Sequence, residues 1–207
     1  LEFRRVLFRS GYWIEKKGKL LRTGAMVGVR NSIRNSVVRG AMHRALWLND
    51  PDCLMLRTAG TKLTAAQRRT QINAIALTGG LLLYSDDFTT LSSEVRSEIR
   101  ATQRITNRCF NGRLIPLDMM AQELPRIIYN TAGFLGVFNM TGKPATITID
   151  AAYLRDQANA VARVWNAAAE PFTTGREVWD GQAVDLTGER VAIGPLGPYE
   201  SRLYEAV

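Results

Sequence analysis

Histidine occurs once, as His43, and cysteine twice, as Cys53 and Cys109, in these 207 residues. Neither cysteine has a second Cys or His at metal-ligand spacing, which excludes a structural zinc site, and two cysteines are too few to staple a secreted miniprotein. A nucleophilic cysteine needs a base partner, and one histidine assembles no convincing Cys/His/Asp set. No apolar run approaches the about 18 residues that a membrane-spanning helix needs. Repeats and low-complexity tracts are absent, as is any Pro/Gly/Ser-rich linker. What is present is ordinary: 46% hydrophobic and 22% charged residues, enough to bury the core of one domain or two small ones.

The net charge of +8 is unevenly spread. Residues 11–125 hold 17 basic and 9 acidic side chains, whereas the last 82 residues hold 7 basic and 9 acidic. Charge therefore divides the chain near residue 120 before any motif is read. The first ten residues, LEFRRVLFRS, share no periodicity with the rest of the chain. They resemble the translation of a short-read sequencing adapter, and the expectation is that they are extraneous and that the chain proper starts at Gly11, inside a longer gene.

From Gly11 onward the pattern alternates. Residues 27–47 read as an amphipathic helix, with Ile33, Val37, Val38, Ala41 and Ala45 on one face. Pro51 stops it, and Cys53–Arg57 is a continuous apolar run, as in a strand buried on both faces of a parallel sheet. Thr64 and Gln67 have capping-box spacing ahead of a second helix that Gly79 and Gly80 end. Residues 81–85 read as a second buried strand, and 92–106 as a third helix. Beyond about residue 112 come short segments divided by turns: 126–130, 133–140, 145–150, 177–186 around an Asp180-Gly181 turn, 190–193 and 202–206. The expected fold class is thus a parallel α/β layer over 11–111, then an antiparallel β-sandwich over 112–207. Residues 151–169 look helical inside the β region and have no place in that scheme.

The run Trp47-Leu48-Asn49-Asp50-Pro51-Asp52-Cys53-Leu54-Met55-Leu56-Arg57 resembles the segment after the general acid/base in retaining α-galactosidases of glycoside hydrolase family 36. The related family 27 carries a similar stretch. The likeness continues in order through Ala76–Asp87, Ile115–Asp118, Val137–Ala145 and Glu177–Gly181. It implies the end of a (β/α)₈ TIM barrel, with 53–57 and 81–85 as the seventh and eighth strands, followed by a C-terminal sandwich. Such barrels carry their sites at the carboxyl ends of the strands. Retaining glycosidases use two carboxyl groups about 5 Å apart; in this family both are aspartates, and both positions fall before Gly11. Tyr12-Trp13 resembles the pair that follows the acid/base. The resemblance implies an α-galactoside substrate and no cofactor or metal, and it leaves the fragment itself without catalytic carboxylates.

By that resemblance Asp52, Cys53 and Trp13 are the candidate substrate-binding residues. Asp50 and Asp52 also suit turn and cap chemistry around Pro51, and Cys53 suits a small buried hydrophobe. Asp86 and Asp87 are either a carboxylate pair or loop and helix-dipole residues. Trp47, which closes a helix, and Trp179, which precedes a turn, are expected in the core; His43 is expected at a solvated or core-edge position. A nucleic-acid partner is not expected, because Arg30, Arg34, Arg39 and Arg44 spread around their helix and form no stripe. A membrane partner is not expected either. A free carbohydrate-binding β domain and a galactosyl transferase of raffinose-type sugars remain alternatives for the function. Low cysteine use favours a cytoplasmic setting, and the open sheet edge of an isolated 11–207 segment predicts poor solubility.

Overall fold

The computed structural model describes residues 28–166 and 168–207. The expectations for LEFRRVLFRS and for Tyr12-Trp13 lie outside the described residues.

Helix α1 spans Val29–Val38, shorter than the expected 27–47. Gly40 ends its run: glycine is a poor helix former, and it sits so close to the later segment at Leu114 that a Cβ would approach Leu114 Cδ2 to 2.3 Å. A 3-10 turn at Gly40–Met42 follows. The chain then reverses, with Arg44 in the left-handed region at φ 59° and its N–H donating to the Trp47 carbonyl at 2.7 Å. Trp47 is thereby carried off the helix face and is 46% exposed, contrary to the expected core position.

Strands β1 (Cys53–Leu54) and β2 (Leu83–Tyr84) pair in parallel, Cys53 opposite Leu83 and Leu54 opposite Tyr84. Helix α2 (Ala65–Thr78) connects them. Its capping box closes both ways, Thr64 N–H to Gln67 Oε1 at 3.0 Å and Gln67 N–H to Thr64 Oγ1 at 3.2 Å. Gly79 ends α2 with φ 61°, a backbone geometry that favours glycine. Helix α3 (Ser93–Cys109) packs beside α2. β1 is buried, as expected of a parallel strand. β2 is not: Leu81 and Leu83 are exposed while Leu82 and Tyr84 pack inward.

The remaining strands are β3 (Leu114–Pro116), β4 (Ile127–Asn130), β5 (Phe134–Phe138), β6 (Ala145–Asp150), β7 (Thr174–Glu177), β8 (Ala183–Asp185), β9 (Arg190–Leu196) and β10 (Ser201–Ala206). Six of them form one antiparallel sheet in the order β3-β4-β5-β10-β7-β8, and β6 and β9 form a separate antiparallel ribbon. The sequence pattern set 177–186 as one turn-bearing segment; β7 instead begins at Thr174, and the turn at Gly181 joins it to β8. The awkward stretch is a helix, α4 (Ala151–Trp165), capped by Asp150 accepting from Tyr153 N–H at 2.8 Å. Ala151, Leu154 and Ala158 turn its narrow apolar stripe to the core.

Strand alternation makes the six-stranded sheet a wall between two cores. Ile128, Phe134, Phe138 and Leu203 face one core, shared with Val29, Ile33 and Val37 of α1, Leu77 of α2 and Ile105 of α3. Ile127, Tyr129, Leu135, Val137 and Tyr204 face the other, shared with Ile147, Ile149 and Leu154 from the ribbon and α4. A third core, Leu54, Leu56, Ile72, Ile75, Val95 and Ile99, lies between the parallel pair and helices α2 and α3. Helix α2 is thus enclosed on two sides, which explains why its buried positions span most of its circumference.

Polar groups tie the helices to the sheet. Asn130 Nδ2 donates to the Leu77 carbonyl at 2.8 Å and the Cys109 carbonyl at 3.3 Å, satisfying carbonyls near the ends of two helices. Asn73, fully buried in α2, donates to Ser201 Oγ and accepts from Trp179 Nε1, at 2.9 and 2.8 Å. Arg69 lies 3.8 Å above the Trp179 ring. Trp179 is therefore a half-buried interface residue packed against the third core, not a core residue as expected. No described helix is long and apolar enough to cross a membrane.

Candidate functional site

The segment from Trp47 to Arg57 threads between α1 and the parallel pair, and backbone contacts fix its course. Asn49, 4% exposed, is held at three points. Its N–H donates to His43 Nδ1 at 3.0 Å, its amide Nδ2 to the Ser36 carbonyl at 3.2 Å, and its carbonyl accepts from Leu81 N–H at 2.8 Å. Ser32 Oγ donates to the Pro51 carbonyl at 3.0 Å. His43 is buried rather than at a solvated edge, and burial lowers its pKa.

The Asp50-Pro51-Asp52 corner then stores strain. Asp52 has φ 78°, a conformation that an aspartate tolerates better than most residues but still at a cost. Two hydrogen bonds hold it: Asp52 N–H to Asp50 Oδ1 at 3.0 Å, and Cys53 N–H to Asp52 Oδ1 at 2.7 Å. Burial raises the Asp52 carboxyl above its ordinary range, the Cys53 N–H bond opposes that, and the Asp50 charge adds to it. The turn role expected of these aspartates is thus observed, and the turn holds a carboxylate that its surroundings destabilise. Burial, then the charges of Asp52 and Asp50, push the Cys53 thiol up, so it stays protonated at neutral pH and is a poor nucleophile. Cys109 is fully buried and its thiol is likewise raised.

A cleft of about 220 Å³ opens beside this corner, between Asn35, Ser36 and Arg39 of the α1 end and Trp47, Leu48 and Asp50. It offers an exposed indole, a guanidinium and a carboxylate, a set suited to a small hydroxylated ring, although its volume is below the about 300–1,000 Å³ of most small-molecule sites. Asp52 and Cys53 adjoin this cleft in sequence and do not line it. Trp13 lies outside the described residues.

At the carboxyl ends of β1 and β2 stands a clamp that the sequence pattern did not single out. Asp86, its side chain shielded from solvent, accepts from Leu56 N–H at 2.7 Å, Arg57 N–H at 3.3 Å and the Arg57 guanidinium at 3.2 Å. Asp87 accepts from Thr89 N–H and Oγ1 and caps the 3-10 turn at Phe88–Thr90. The two aspartates are therefore a strand clamp and a cap, not an acid/base pair. Signals for the clamp did exist, an arginine closing one apolar run and an aspartate closing the other. Nearby, Gln71 Oε1, Tyr84 Oη and Ser85 Oγ are buried without a partner among the described residues. Burial alone lifts the Tyr84 hydroxyl to about 12, so it remains a hydrogen-bond donor.

The expected dispersal of basic residues takes a definite form. Arg34 pairs with Glu123 at 2.6 Å, and Arg44, beyond the helix, sits 5.0 Å over the Phe110 ring. Among the described residues no group of three or more His, Cys, Asp or Glu side chains is placed to hold a metal ion.

No protein-family model matches the chain. Its fold does match solved structures. α-Galactosidase I from Mortierella vinacea superimposes with a TM-score of 0.60 at 14% identity, over 95% of this chain and 50% of that one. A GH27 β-L-arabinopyranosidase from Geobacillus stearothermophilus gives 0.58 at 13% identity, over 86% of this chain and 41% of that one. The Arthrobacter globiformis T6 isomalto-dextranase complexed with panose gives 0.53 at 16% identity, covering 83% of this chain and 28% of its own. The fold is shared with glycoside hydrolases. The chain spans half or less of the length of each.

Proposed function

We propose that residues 11–111 are the closing part of a (β/α)₈ barrel, with β1 and β2 as its seventh and eighth strands, and that residues 112–207 are its C-terminal β domain. The parent activity on this reading is retaining α-galactosidase: hydrolysis of terminal α-galactosides by double displacement between two aspartates that both lie upstream of Gly11. The observation that carries it is the parallel β1–β2 pair. It has no further strand partner among the described residues, turns Leu81 and Leu83 outward, and joins the antiparallel domain without a linker. Preceding barrel strands and their packing would cover such a face, and the likeness in fold to an α-galactosidase and a β-L-arabinopyranosidase supports that cover.

Asp52 and Cys53 contribute to the sugar pocket on this reading. The left-handed backbone of Asp52, pinned by Asp50, fixes its carboxylate before substrate arrives, so sugar hydroxyls donate to an acceptor that needs no reorganisation. Cys53 supplies a small, soft, uncharged wall beside it, and Trp13 an aromatic face. No cofactor enters the chemistry. The direct continuity of the two parts, with Asn73 and Asn130 buried between them, favours this reading over a free carbohydrate-binding domain.

Long sequencing reads upstream of the Gly11 codon test the proposal. The frame is expected to continue, with an aspartate a few residues before Tyr12-Trp13 and another closing an earlier strand. The product of that frame is expected to hydrolyse aryl α-galactosides, with the α-anomer of galactose formed first. A frame lacking those aspartates, or a full product inert on aryl α-galactosides, overturns it.

A further inference from the structure

A larger cleft, about 540 Å³, lies where the end of α3, the Arg44 turn, the β4–β5 turn and the end of α4 meet. Three arginines line it: Arg44, Arg108 and Arg113. Arg108 shares the single carboxylate of Glu205 with Arg104, and both hydrogen-bond to it. Arg44 and Arg113 have no carboxylate within ion-pair distance among the described residues.

The two are nevertheless held in place. Arg113 sits 4.2 Å over the Trp165 ring and donates to the His43 carbonyl at 2.7 Å. Arg44 sits over Phe110 and donates to the Phe110 carbonyl at 3.4 Å. Each guanidinium carries five N–H donors in a rigid fork, so most of their donors remain for something else. Holding two cations at one cleft with no carboxylate paired to either is unfavourable. Burial first, and then the charge of Arg44, lower the Arg113 guanidinium from its ordinary value.

We propose that this cleft binds a phosphomonoester carried on a small hydroxylated body, with Arg44 and Arg113 clasping the phosphate. A phosphomonoester at neutral pH bears about −1.5 to −2 charge, the complement of two unneutralised guanidiniums, and arginine forks suit its oxygens. The cleft is larger than a bare phosphate requires and falls within the about 300–1,000 Å³ range of small-molecule sites. Glu170, which also lines the cleft, opposes a second anionic group and accepts from hydroxyls, which points to a polyol or sugar as the body. Trp165, 40% exposed, supplies an apolar flank. The ligand differs in charge from the neutral galactoside proposed above, so the two readings fail separately.

Isothermal titration of the full 207-residue chain with inorganic phosphate, galactose 1-phosphate and galactose, at matched ionic strength, tests this. Both phosphates are expected to bind and galactose not to. Tighter binding of the sugar phosphate assigns the body to the Trp165 and Glu170 side of the cleft, whereas equal binding overturns the hydroxylated body and leaves free phosphate as the ligand. Loss of a charge-assisted contact predicts a dissociation constant raised about tenfold or more in Arg44→Gln and in Arg113→Gln. Arg44→Lys, which keeps the charge, is expected to fall between, and Arg100→Gln on the outer face of α3 to change nothing. Circular dichroism confirms that each variant is folded. Absence of phosphate binding, equal binding of galactose, or an unchanged constant in folded Arg44→Gln overturns the proposal.

Discussion

The parallel pair and the six-stranded sheet are both built from apolar runs, yet their surroundings differ. In β4 and β5 every residue is buried, because the helices cover one face and the β6–β9 ribbon with α4 covers the other. In β2 and the residues leading into it the burial is one-sided, with Leu81 50% and Leu83 36% exposed. Continuous apolarity is usually read as the mark of a parallel strand. Here the antiparallel β4 and β5 are buried on both faces, as is the parallel β1, while the parallel strand β2 is half open. Uniform apolarity therefore reports cover on two faces and says nothing about strand direction. For β2 it reports a cover that the described residues do not supply.

The sharpest way to break that comparison is to truncate one residue from each region. Phe134→Ala removes a fully buried ring from the wall between the helices and the sheet and is expected to cost about 3–5 kcal/mol. Leu83→Ala in the same 207-residue chain is expected to stay within about 0.5 kcal/mol. Urea denaturation followed by circular dichroism reads both. If Leu83→Ala is as damaging as Phe134→Ala, β2 is covered on its outer face and the contrast disappears.

A smaller effect tests how closely the two regions approach. At Gly136 a Cβ would come within 2.5 Å of Leu77 Cδ1 and of Phe138 Cε2. Gly136→Ala is expected to destabilise by about 1–3 kcal/mol through overpacking, whereas Gly188→Ala, with Val191 4.0 Å away, is expected to be nearly neutral. Comparable in size is Asn130→Ala, which removes the donor shared by the Leu77 and Cys109 carbonyls and is expected to cost about 1–3 kcal/mol. Stability near wild type in either variant would mean that helices and sheet touch less intimately than these contacts require.

Local signals carried most of the fold. Thr64, Gln67 and Gly79 fixed both ends of α2 by hydrogen-bond chemistry that needs no tertiary context, and the division by turns gave 145–150 as a segment with the observed bounds of β6. Failures occurred where tertiary contacts overrode local pattern. The apolar spacing of 27–47 continues past Val38, but the approach of Gly40 to Leu114 and the reversal at Arg44 end the helix, and neither is visible in periodicity. Helix α4 was legible as a helix and not as part of the β region, because the sheet face it covers forms from strands on both sides of it in the chain. Of the candidate site, the Asp50–Cys53 corner was legible as a motif. The Arg57–Asp86 clamp was not, since its partners stand 29 residues apart.

His43 belongs to the helical region and gives it a pH dependence that the sheet lacks a histidine to share. Its folded-state pKa lies below the ordinary 6.5 because burial disfavours the imidazolium. The unfolded chain therefore binds the proton more readily, and stability is full above about pH 6.5 and falls as pH drops towards the folded value, by at most about 1.4 kcal/mol per pH unit for one proton. Urea midpoints at pH 7 and 5.5 read this, set against His43→Gln, which is expected to flatten the difference attributable to that group. An undiminished acid slope in a folded His43→Gln chain would assign it to carboxylates.

The smallest expected change in stability falls at Asp52 and is the most informative about function. Its carboxyl is raised by burial and by Asp50, so ionisation at neutral pH works against folding, and its φ of 78° adds strain. Asparagine tolerates the left-handed region as well as aspartate does and keeps an oxygen to accept from Cys53 N–H. Asp52→Asn is thus expected to leave stability unchanged or slightly raised. A residue retained only to build the turn would lose nothing by that exchange. A residue retained to accept sugar hydroxyls loses a charged acceptor, about 1.5–3 kcal/mol, or roughly ten- to a hundredfold in kcat/KM of the full-frame product on aryl α-galactosides. Unchanged stability with lowered kcat/KM sets the strained corner apart as a site built at the expense of folding. Unchanged values of both would reduce Asp52 to a turn residue, and the proposed sugar pocket would then have to rest on residues other than this corner.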